Sequence, residues 1–424
     1  MHVTTPAKTP ATTPATTPAT APTTALHIAI VSDYFFDYIG GAQTSMRQQK
    51  LALEAVGHTV SIISPARGAL APRFRRTTDG LEVKPTFRLP GLDMPIIPNT
   101  PALVSTLVDF LRNTAVDAVH VQTEFGLAHA AATAAKSINL PTVHTVHSFY
   151  WASEGLPQLA IAWFVRAALQ KAIGAQLPRQ RLSERAADNV LRNMVLAMAT
   201  RADRLVSPSA HQAADLAQAG IAAPISIIPN PVATADLPSR ALTEADVAHP
   251  RFLWVARCES VKRPLPFVRA VVDALARTNN GFSVDFVGDG AELAELSKIA
   301  EEHEQIRIQG ALPHDRVLEL MDASSAVVLT SFGFDNQPMT IAEAVSRERG
   351  VLYCDPKLSE GLSHSGFLAD TPDDAGLADA LVALVTDPQR LVGLSVGAKI
   401  DRELFSPSGY LEQILPLYRP AATG

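Results

Sequence analysis

The chain of 424 residues is 47 % hydrophobic and 18 % charged, which provides enough apolar side chains for two or three buried cores. Its net charge of −6 argues against a general nucleic-acid binder, because such proteins neutralise phosphates with surplus Lys and Arg. The two cysteines, Cys258 and Cys354, are too few for a disulfide framework and indicate a reducing, cytoplasmic compartment.

The first residues differ in composition from the rest of the chain. Thr, Pro and Ala make up almost all of residues 4–24, so this segment offers few large side chains to bury, and its prolines interrupt helices and strands. We expect a disordered tail over 1–25 that lacks the apolar stretch of a secretory signal. No apolar run of about 18 residues follows, so no membrane-spanning helix is predicted.

Strands and helices alternate from residue 26 to 232. The opening unit is a β-branched strand, a turn with Gly40 and Gly41, a helix and a second strand, which together predict a βαβ unit. The alternation repeats, and Ser209 is the expected N-cap of a late helix. The predicted strands are Leu26–Ser32, Thr59–Ser64, Ala118–Gln122, Pro141–His147, Arg201–Pro208 and Ile225–Ile228, and the predicted helices are Ala42–Val56 and Ala128–Ser137.

A second alternation follows the polar, proline-bearing stretch 233–250. Two series of this length predict an α/β protein with two doubly wound, Rossmann-like domains over 26–232 and 233–407. A last amphipathic helix, Ser408–Leu417, lies in a segment 408–424 that we expect to cross back to the first domain. The other predicted elements are strands at Phe252–Ala256, Ser283–Gly288, Ile306–Gln309 and Ala326–Thr330, and helices at Pro264–Ala276 and from Ala291, His314 and Met339.

One stretch, Tyr150–Thr200, interrupts the alternation. It is mostly helical in pattern and mixes cations with Trp163, Phe164 and other apolar residues. A basic helix of this kind can lie on an anionic membrane surface, whereas a helical excursion packed on the core with solvated arginines has the same composition. Both interpretations stay open. The cations are Arg166, Lys171, Arg179, Arg181, Arg185 and Arg192.

Two carboxylates follow the strand that is predicted to end at Thr330. Asp335 lies in the next loop and Glu343 in the first turns of the next helix, and open α/β sheets bind ligands beyond the carboxyl ends of their strands. Carboxylate oxygens accept charge-assisted hydrogen bonds from the vicinal hydroxyls of a sugar. A helix capped by Asp with a solvated Glu gives the same pattern, so the pair alone leaves both interpretations open.

Further candidates follow other strands. Arg257 and Lys262 offer the guanidinium fork and the mobile ammonium that suit a diphosphate leaving group, although exposed loop cations are common. Gly40 and Gly41 let backbone N–H groups approach a phosphate, but they lack the spacing of a dinucleotide-binding motif. His147 ends a predicted strand, where a histidine either meets a substrate or serves the structure.

The ordered set of segments resembles family 4 of the retaining glycosyltransferases, which have the GT-B fold of two Rossmann-like domains facing a central cleft. The resemblance covers nearly all of Leu26–Tyr418. It rests on the strand–Gly-Gly–helix opening, Thr145–His147, Val206–Ala210, Ile228–Val232, Arg257 with Lys262, Val287–Glu292, and the segment in which Asp335 and Glu343 are separated by seven residues and followed by Ala344.

The resemblance implies a hexosyltransferase that uses a UDP- or GDP-linked sugar and needs neither a metal nor a further cofactor. Arg257 and Lys262 would bind the donor diphosphate, His147 would lie beside the reacting face of the sugar, and Asp335 would reach its hydroxyls. These four are the implied catalytic residues. The implied substrate-binding residues are Gly40, Gly41, Gly288, Asn336, Gln337, Met339, Thr340 and Glu343, with Glu343 on the ribose.

The implied reaction is a front-face attack in which the departing phosphate deprotonates the acceptor. Stabilisation of the developing diphosphate charge would then dominate catalysis. The sequence has no Asp-x-Asp metal motif. Three departures from the family pattern concern the choice of donor: Asp335 stands where Glu is usual, Pro338 removes a backbone N–H where glycine is common, and Arg263 follows Lys262 where glycine is also common.

The acceptor and the activity leave alternatives. A membrane glycolipid is one acceptor class, reached from the inner face of the cell membrane through 150–200, and a soluble or polysaccharide acceptor is the other. A non-catalytic relative that only binds a nucleotide sugar is a further alternative, against which the intact Arg257, Lys262, Glu343 and His147 argue. A nucleotide-sugar epimerase of the same fold would turn over without an acceptor. No nucleic-acid partner is expected.

Overall fold

The computed structural model describes residues 25–38, 40–68, 70–89, 94–150, 158–233 and 239–420. The tail predicted over 1–25 lies outside the described residues, apart from Ala25. Within the described residues the chain forms two mainly parallel sheets, each with flanking helices, and one separate hairpin.

Ten strands come from the described part of the chain before residue 230. They are β1 His27–Val31, β2 Thr59–Pro65, β3 Phe74–Thr77, β4 Gly80–Val83, β5 Phe87–Leu89, β6 Met94–Ile96, β7 Ala118–Val121, β8 Thr142–Thr145, β9 Arg204–Ser207 and β10 Ile225–Ile227. Eight of them form the first sheet in the order β10-β9-β8-β7-β1-β2-β4-β3, and only the β3–β4 pair is antiparallel. Strands β5 and β6 form the hairpin.

Six helices lie in the described part of this half, and four of them begin at a capping side chain or at a glycine. They are α1 Gly41–Ala55, α2 Pro101–Asn113, α3 Gly126–Ser137, α4 Gln158–Ile173, α5 Ala186–Ala199 and α6 Ala210–Gln218. The predicted cap of α6 is confirmed, because the Ser209 hydroxyl accepts a hydrogen bond from the Gln212 backbone. Helix α2 combines a Thr100 cap with Pro101 at its first position, where the missing N–H costs nothing.

The second sheet has six parallel strands within the described residues, in the order β13-β12-β11-β14-β15-β16. These are β11 Arg251–Val255, β12 Ser283–Val287, β13 Ile306–Gly310, β14 Ala326–Leu329, β15 Gly350–Tyr353 and β16 Gly366–Leu368. The chain enters in the middle and winds outward in both directions, which confirms the doubly wound class. The helices are α7 Pro264–Arg277, α8 Leu293–Ala300, α9 His314–Ala323, α10 Met339–Ser346, α11 Asp374–Thr386, α12 Gln389–Asp401 and α13 Pro407–Ile414.

The central strands carry the cores. Strands β7, β8, β14 and β15 are buried along their whole length, as expected for parallel strands covered by helices on both faces. Helix α13 packs on the first sheet, although the helices before it belong to the second. Its segment contributes Tyr410, Leu411, Ile414 and Tyr418 to the cluster around Ile28 and Ile30, and the Tyr418 hydroxyl lies 2.8 Å from His120 Nδ1.

Several sequence-based boundaries need correction. Strand β8 ends at Thr145, so His147 lies in the loop beyond it and does not end the strand. The closing helix α13 is shorter than predicted and runs into a 3₁₀ turn at Leu415–Tyr418. The stretch Tyr150–Thr200 holds two helices, α4 and α5, and residues 151–157 lie outside the described part. No helix in the described ranges is long and apolar enough to cross a membrane.

Candidate active site between the two sheets

Loops at the carboxyl ends of both sheets meet each other. The amide of Asn336, after β14, donates to the Val146 carbonyl after β8 at 3.2 Å and accepts a hydrogen bond from the Ser209 hydroxyl. The backbone N–H of Asn230 donates to the side-chain oxygen of Gln337 at 2.8 Å. Because parallel α/β sheets bind ligands beyond the carboxyl ends of their strands, a site is expected along this junction.

Lys262 and Asp335, both predicted as catalytic, form an ion pair. Lys262 follows β11 and Asp335 follows β14, and these strands are neighbours in the sheet. The Lys262 Nζ lies 2.5 and 2.7 Å from the two carboxylate oxygens, and the side chains are only 17 % and 11 % exposed. Asp335 does not cap α10, whose N-cap is Pro338 without a side-chain hydrogen bond. The helix-cap interpretation is therefore wrong.

Arg257 lies in the loop two residues beyond β11, in a more open position. Its guanidinium donates to Glu259 at 2.7 Å, and 51 % of the Arg257 side chain is exposed. An exposed ion pair contributes roughly 0–1 kcal/mol, so little free energy opposes a change of partner. The guanidinium can therefore exchange the Glu259 carboxylate for a phosphate.

Glu343 is a buried carboxylate on α10 with a histidine partner. Its Oε1 lies 2.9 Å from Nε2 of His314, the first residue of α9, and its side chain is 8 % exposed. The hydrogen bond to Glu343 raises the pKa of His314 above its usual value, with smaller influences from Arg47 and Asp315. Arg47 belongs to α1, so this pair too lies where the two halves of the molecule approach each other.

The three predicted glycines differ in what they allow. A Cβ on Gly41, the first residue of α1, would meet no atom within 4 Å, so there is open space beside that helix N-terminus. Gly40 is extended, a conformation that any residue adopts, but a Cβ there would lie 2.8 Å from the Gln43 side-chain oxygen. Gly288 has φ +146°, and a Cβ would lie 1.8 Å from the Ala256 carbonyl oxygen. The fold therefore requires a glycine at position 288, whether or not a ligand binds there.

The remaining predicted donor-binding residues contact protein groups. The amides of Asn336 and Gln337 bind the other half of the molecule, as described above. Met339 is 7 % exposed and packs in the core below α10, and the Thr340 hydroxyl donates to the Val255 carbonyl at 3.5 Å. Gln337 Nε2 is buried without a hydrogen-bond partner among the described residues, so both of its N–H donors are unsatisfied there.

His147 lies on the opposite side of the junction from Lys262. Its Nε2 is 2.5 Å from Oε1 of Gln122, which follows β7. Burial and the nearby His144 lower the pKa of His147 to about 3, so the imidazole is neutral at physiological pH. The sequence prediction did not include Gln122, although its position directly after a buried strand is the signal that could have identified it.

Two buried carboxylates on the same side of the junction as His147, Asp33 and Glu124, were also absent from the prediction. Asp33, two residues after β1, accepts hydrogen bonds from the backbone of Phe125 and Leu127 at 3.0 and 2.7 Å, and burial raises its pKa to about 6. Burial raises the pKa of Glu124 to about 8, and its Oε1 lies 3.5 Å from His144 Nε2. In the described ranges no group of three or more His, Cys, Asp or Glu is arranged to hold a metal ion.

Family models match both halves of the chain. Residues 39–236 match the model described as Glycosyltransferase Family 4, and residues 249–387 match the model described as Glycosyl transferases group 1. The chain belongs to the family 4 type of GT-B glycosyltransferases. The family predicted from the ordered motifs is thereby confirmed, and so is the two-domain GT-B fold.

Two curated relatives of this glycosyltransferase-family chain are similar over a short segment. The alpha-monoglucosyldiacylglycerol synthase of Acholeplasma laidlawii is 31 % identical over 133 residues, 30 % of this chain and 30 % of the relative. The enzyme of the same name from Streptococcus pneumoniae is 26 % identical over 136 residues, 30 % of this chain and 27 % of the relative. The matches thus span less than a third of either relative.

Solved structures resemble nearly the whole chain in fold. Anabaena HepE in complex with UDP and glucose is 18 % identical with a TM-score of 0.63, over 92 % of this chain and 98 % of that chain. Sucrose-phosphate synthase from Thermosynechococcus elongatus is 18 % identical with a TM-score of 0.62, over 93 % and 98 % of the two chains. At this identity the likeness establishes the fold alone.

Proposed function

We propose that this protein transfers a hexose from a UDP- or GDP-linked sugar to a hydroxyl of a membrane glycolipid precursor, with retention of configuration and without a metal. The observation that carries the proposal is the largely buried Lys262–Asp335 pair at 2.5 Å, at the carboxyl ends of neighbouring strands, with Arg257 following the same strand as Lys262. It combines a cation for a leaving diphosphate with a carboxylate for sugar hydroxyls.

The proposed donor lies along the second sheet. Lys262 and Arg257 bind the diphosphate, Glu343 accepts hydrogen bonds from the ribose hydroxyls, and the open space at Gly41 admits a phosphate or sugar next to the α1 N-terminus. The diphosphate displaces Asp335 from part of the Lys262 ammonium, which frees carboxylate oxygens for the sugar.

In the proposed reaction the bond between the anomeric carbon and the diphosphate breaks, and the acceptor oxygen bonds to that carbon from the same face. The acceptor proton passes to the departing phosphate oxygen. Lys262 and Arg257 stabilise the negative charge that develops there, and removal of one such group typically lowers kcat by about 10²–10³. A carboxylate nucleophile is not part of this route.

The lipid acceptor is supported by the names of the two curated relatives and by the surface of α4. Trp163 and Phe164 are adjacent and 75 % and 68 % exposed, with Lys171 exposed on the same helix. Exposed aromatic residues beside cations suit the interface of an anionic membrane. Arg166 and Arg192 do not belong to this surface set, because their guanidinium groups donate to the carbonyls of Pro178 and Leu182.

A donor panel tests the activity. UDP- and GDP-linked glucose, galactose and mannose are incubated with the protein, with and without liposomes that contain diacylglycerol, and release of UDP or GDP is measured. We expect one nucleotide sugar to be consumed in the presence of the lipid and an α-linked glycolipid to form. Release at equal rates without any acceptor would indicate hydrolysis or epimerisation instead, and no release from any donor would reject the enzyme.

Liposome binding tests the membrane contact separately. Sedimentation with phosphatidylglycerol vesicles should decrease as salt rises, since screening weakens charge attraction. The double variant Trp163→Ser, Phe164→Ser should bind less than the control Leu51→Ser, which removes an apolar side chain that is also exposed, on α1. Equal binding of the two variants would reject α4 as the membrane-contacting helix.

A further inference from the structure

A chain of buried hydrogen bonds connects His147 to the donor-side loop. From His147 Nε2 it passes to Gln122 Oε1 at 2.5 Å, and Gln122 Nε2 then donates to Gln49 Oε1 at 2.8 Å. Gln49 Nε2 donates to the Ser45 hydroxyl at 2.9 Å. That hydroxyl donates to Asn230 Oδ1 at 2.5 Å.

The same chain reaches the second half of the molecule. The backbone N–H of Asn230 donates to the side-chain oxygen of Gln337 at 2.8 Å. The side-chain amide of the neighbouring Asn336 donates to the carbonyl of Val146, one residue before His147. The hydrogen bonds therefore run from the His147 loop across α1 to the loop that carries Asp335, and back.

The linking side chains are shielded from water. Ser45, Gln49, Gln122 and Asn230 are 0 %, 1 %, 1 % and 4 % exposed. If one of the buried amide groups were flipped, exchanging its oxygen and nitrogen, two donors or two acceptors would face each other. Such a contact is costly in a low-dielectric interior. Each group thus fixes the orientation of the next.

The orientation determines where His147 carries its proton. A carbonyl oxygen only accepts hydrogen bonds, so Gln122 Oε1 requires the proton on Nε2 of His147. Nδ1 is then the unprotonated nitrogen and can accept a hydrogen bond from a hydroxyl group. The opposite tautomer would place two acceptors 2.5 Å apart.

We propose that Gln122, Gln49 and Ser45 are positioning residues that hold His147 as the Nε2–H tautomer, so that Nδ1 accepts a hydrogen bond from a hydroxyl of the bound sugar. The role of Nδ1 towards the sugar rests on the proposed function, whereas the tautomer itself does not.

Nitrogen NMR of protein labelled with ¹⁵N-histidine tests this proposal without any substrate. The chemical shifts of the two ring nitrogens distinguish the tautomers, and the His147 signals are assigned by their loss in His147→Asn. The wild type should show one tautomer with the proton on Nε2. Gln49→Met, which cuts the chain two links away, should give a mixture of tautomers, and Gln49→Glu, whose carboxylate still accepts from Gln122 Nε2, should restore the single form.

Matched variants separate this effect from loss of structure. Gln48→Met replaces the adjacent buried glutamine of α1, whose side-chain oxygen accepts from the Ala233 backbone, and should leave the tautomer unchanged. Ser45→Ala removes a single hydroxyl and should reproduce the mixture if Gln49→Met does not fold. The proton on Nδ1 in the wild type, or an unchanged tautomer in both Gln49→Met and Ser45→Ala, would overturn the proposal.

Turnover supplies the second readout. With the donor and acceptor found in the panel, Gln49→Met should lower kcat several-fold, while Gln49→Glu recovers most of it. If the tautomer behaves as described but no donor is consumed by the wild type, the proposed function fails and the positioning chain remains. If turnover occurs but is indifferent to the tautomer, the role of Nδ1 is rejected.

Discussion

Lys262 is held by Asp335 in the absence of a ligand, so a diphosphate and a carboxylate compete for the same ammonium group. Asp335→Ala removes that competitor. We expect the binding free energy for UDP or GDP to become more favourable by about 1 kcal/mol, which is roughly fivefold in affinity. The rate of sugar transfer should fall, because the variant has lost the carboxylate that accepts hydrogen bonds from the hydroxyls of the donor sugar. Calorimetric titration with the nucleotide and a transfer assay measure the two effects. Weaker nucleotide binding in Asp335→Ala would contradict this interpretation of the pair.

His314 should make the folding stability of the protein depend on pH. Its pKa is raised by Glu343, so the charged pair stabilises the protein below the ordinary pKa of histidine, near 6.5, and this contribution is lost as the pH rises through the raised value. His314→Asn should therefore lower the melting temperature more at about pH 5.5 than at about pH 9. Thermal unfolding across this range measures it. If the melting-temperature difference between the wild type and His314→Asn increased with pH, the proposed stabilisation by the charged pair would be contradicted.

At the scale of elements, the two kinds of glycine predict opposite outcomes. Gly288→Ala places a Cβ 1.8 Å from the Ala256 carbonyl oxygen at φ +146°, and should cost more than about 2 kcal/mol of unfolding free energy. Gly41→Ala meets open space at the start of α1 and should leave stability unchanged or slightly higher.

Kinetics completes the comparison of the glycines. Gly41→Ala should raise the KM for the nucleotide sugar, because the added methyl group occupies the space proposed for the ligand, although the fold is intact. Chemical denaturation and steady-state kinetics measure the pair of variants. An unchanged KM in Gly41→Ala would remove Gly41 from the proposed site.

Strands and helices could be predicted from the sequence where a local signal, such as a run of β-branched residues or a capping side chain, was present. The buried β-branched runs predicted the central strands, and Ser209 predicted the start of α6, which is confirmed by its side-chain hydrogen bond. Strands β3 to β6 have only three or four residues each, and arginines interrupt the apolar residues of β3 and β5, so no alternation of two residues stood out. Strands β15 and β16 were not predicted either, although β15 is buried along its length.

The site was predictable only in part, because residue spacing does not specify partners. The carboxyl-end rule found Lys262, Asp335, Glu343 and His147. It could not show that Lys262 and Asp335 bind each other, since they are 73 positions apart in the sequence. Nor could it show that Asn336 and Gln337 reach across to the other half, which depends on how the two sheets are oriented. Their roles towards a donor, and the domain boundaries, stay predictions.

At the scale of the whole molecule, polar contacts between loop residues of the two halves close the junction within the described residues. The Glu360 carboxylate accepts a hydrogen bond from the Ala210 backbone at the start of α6 at 2.5 Å, and Asn336 binds Ser209 and Val146. The double variant Glu360→Ala, Asn336→Ala should open the molecule and increase its radius of gyration. Small-angle X-ray scattering measures this, with the exposed Glu403→Ala as control. Identical scattering from all three proteins would show that other contacts hold the halves together.

Lys262 and Arg257 are proposed to stabilise a departing diphosphate, and the turnover number of variants at these positions tests this role. Steady-state turnover of Lys262→Ala and Arg257→Ala is compared with that of Arg269→Ala, which removes an exposed, ion-paired arginine on α7 of the same domain. All three proteins should melt near the wild-type temperature. We expect a loss of about 10²-fold or more in kcat for the first two variants and wild-type turnover for the third. Turnover near the wild-type rate in Lys262→Ala or Arg257→Ala would contradict it.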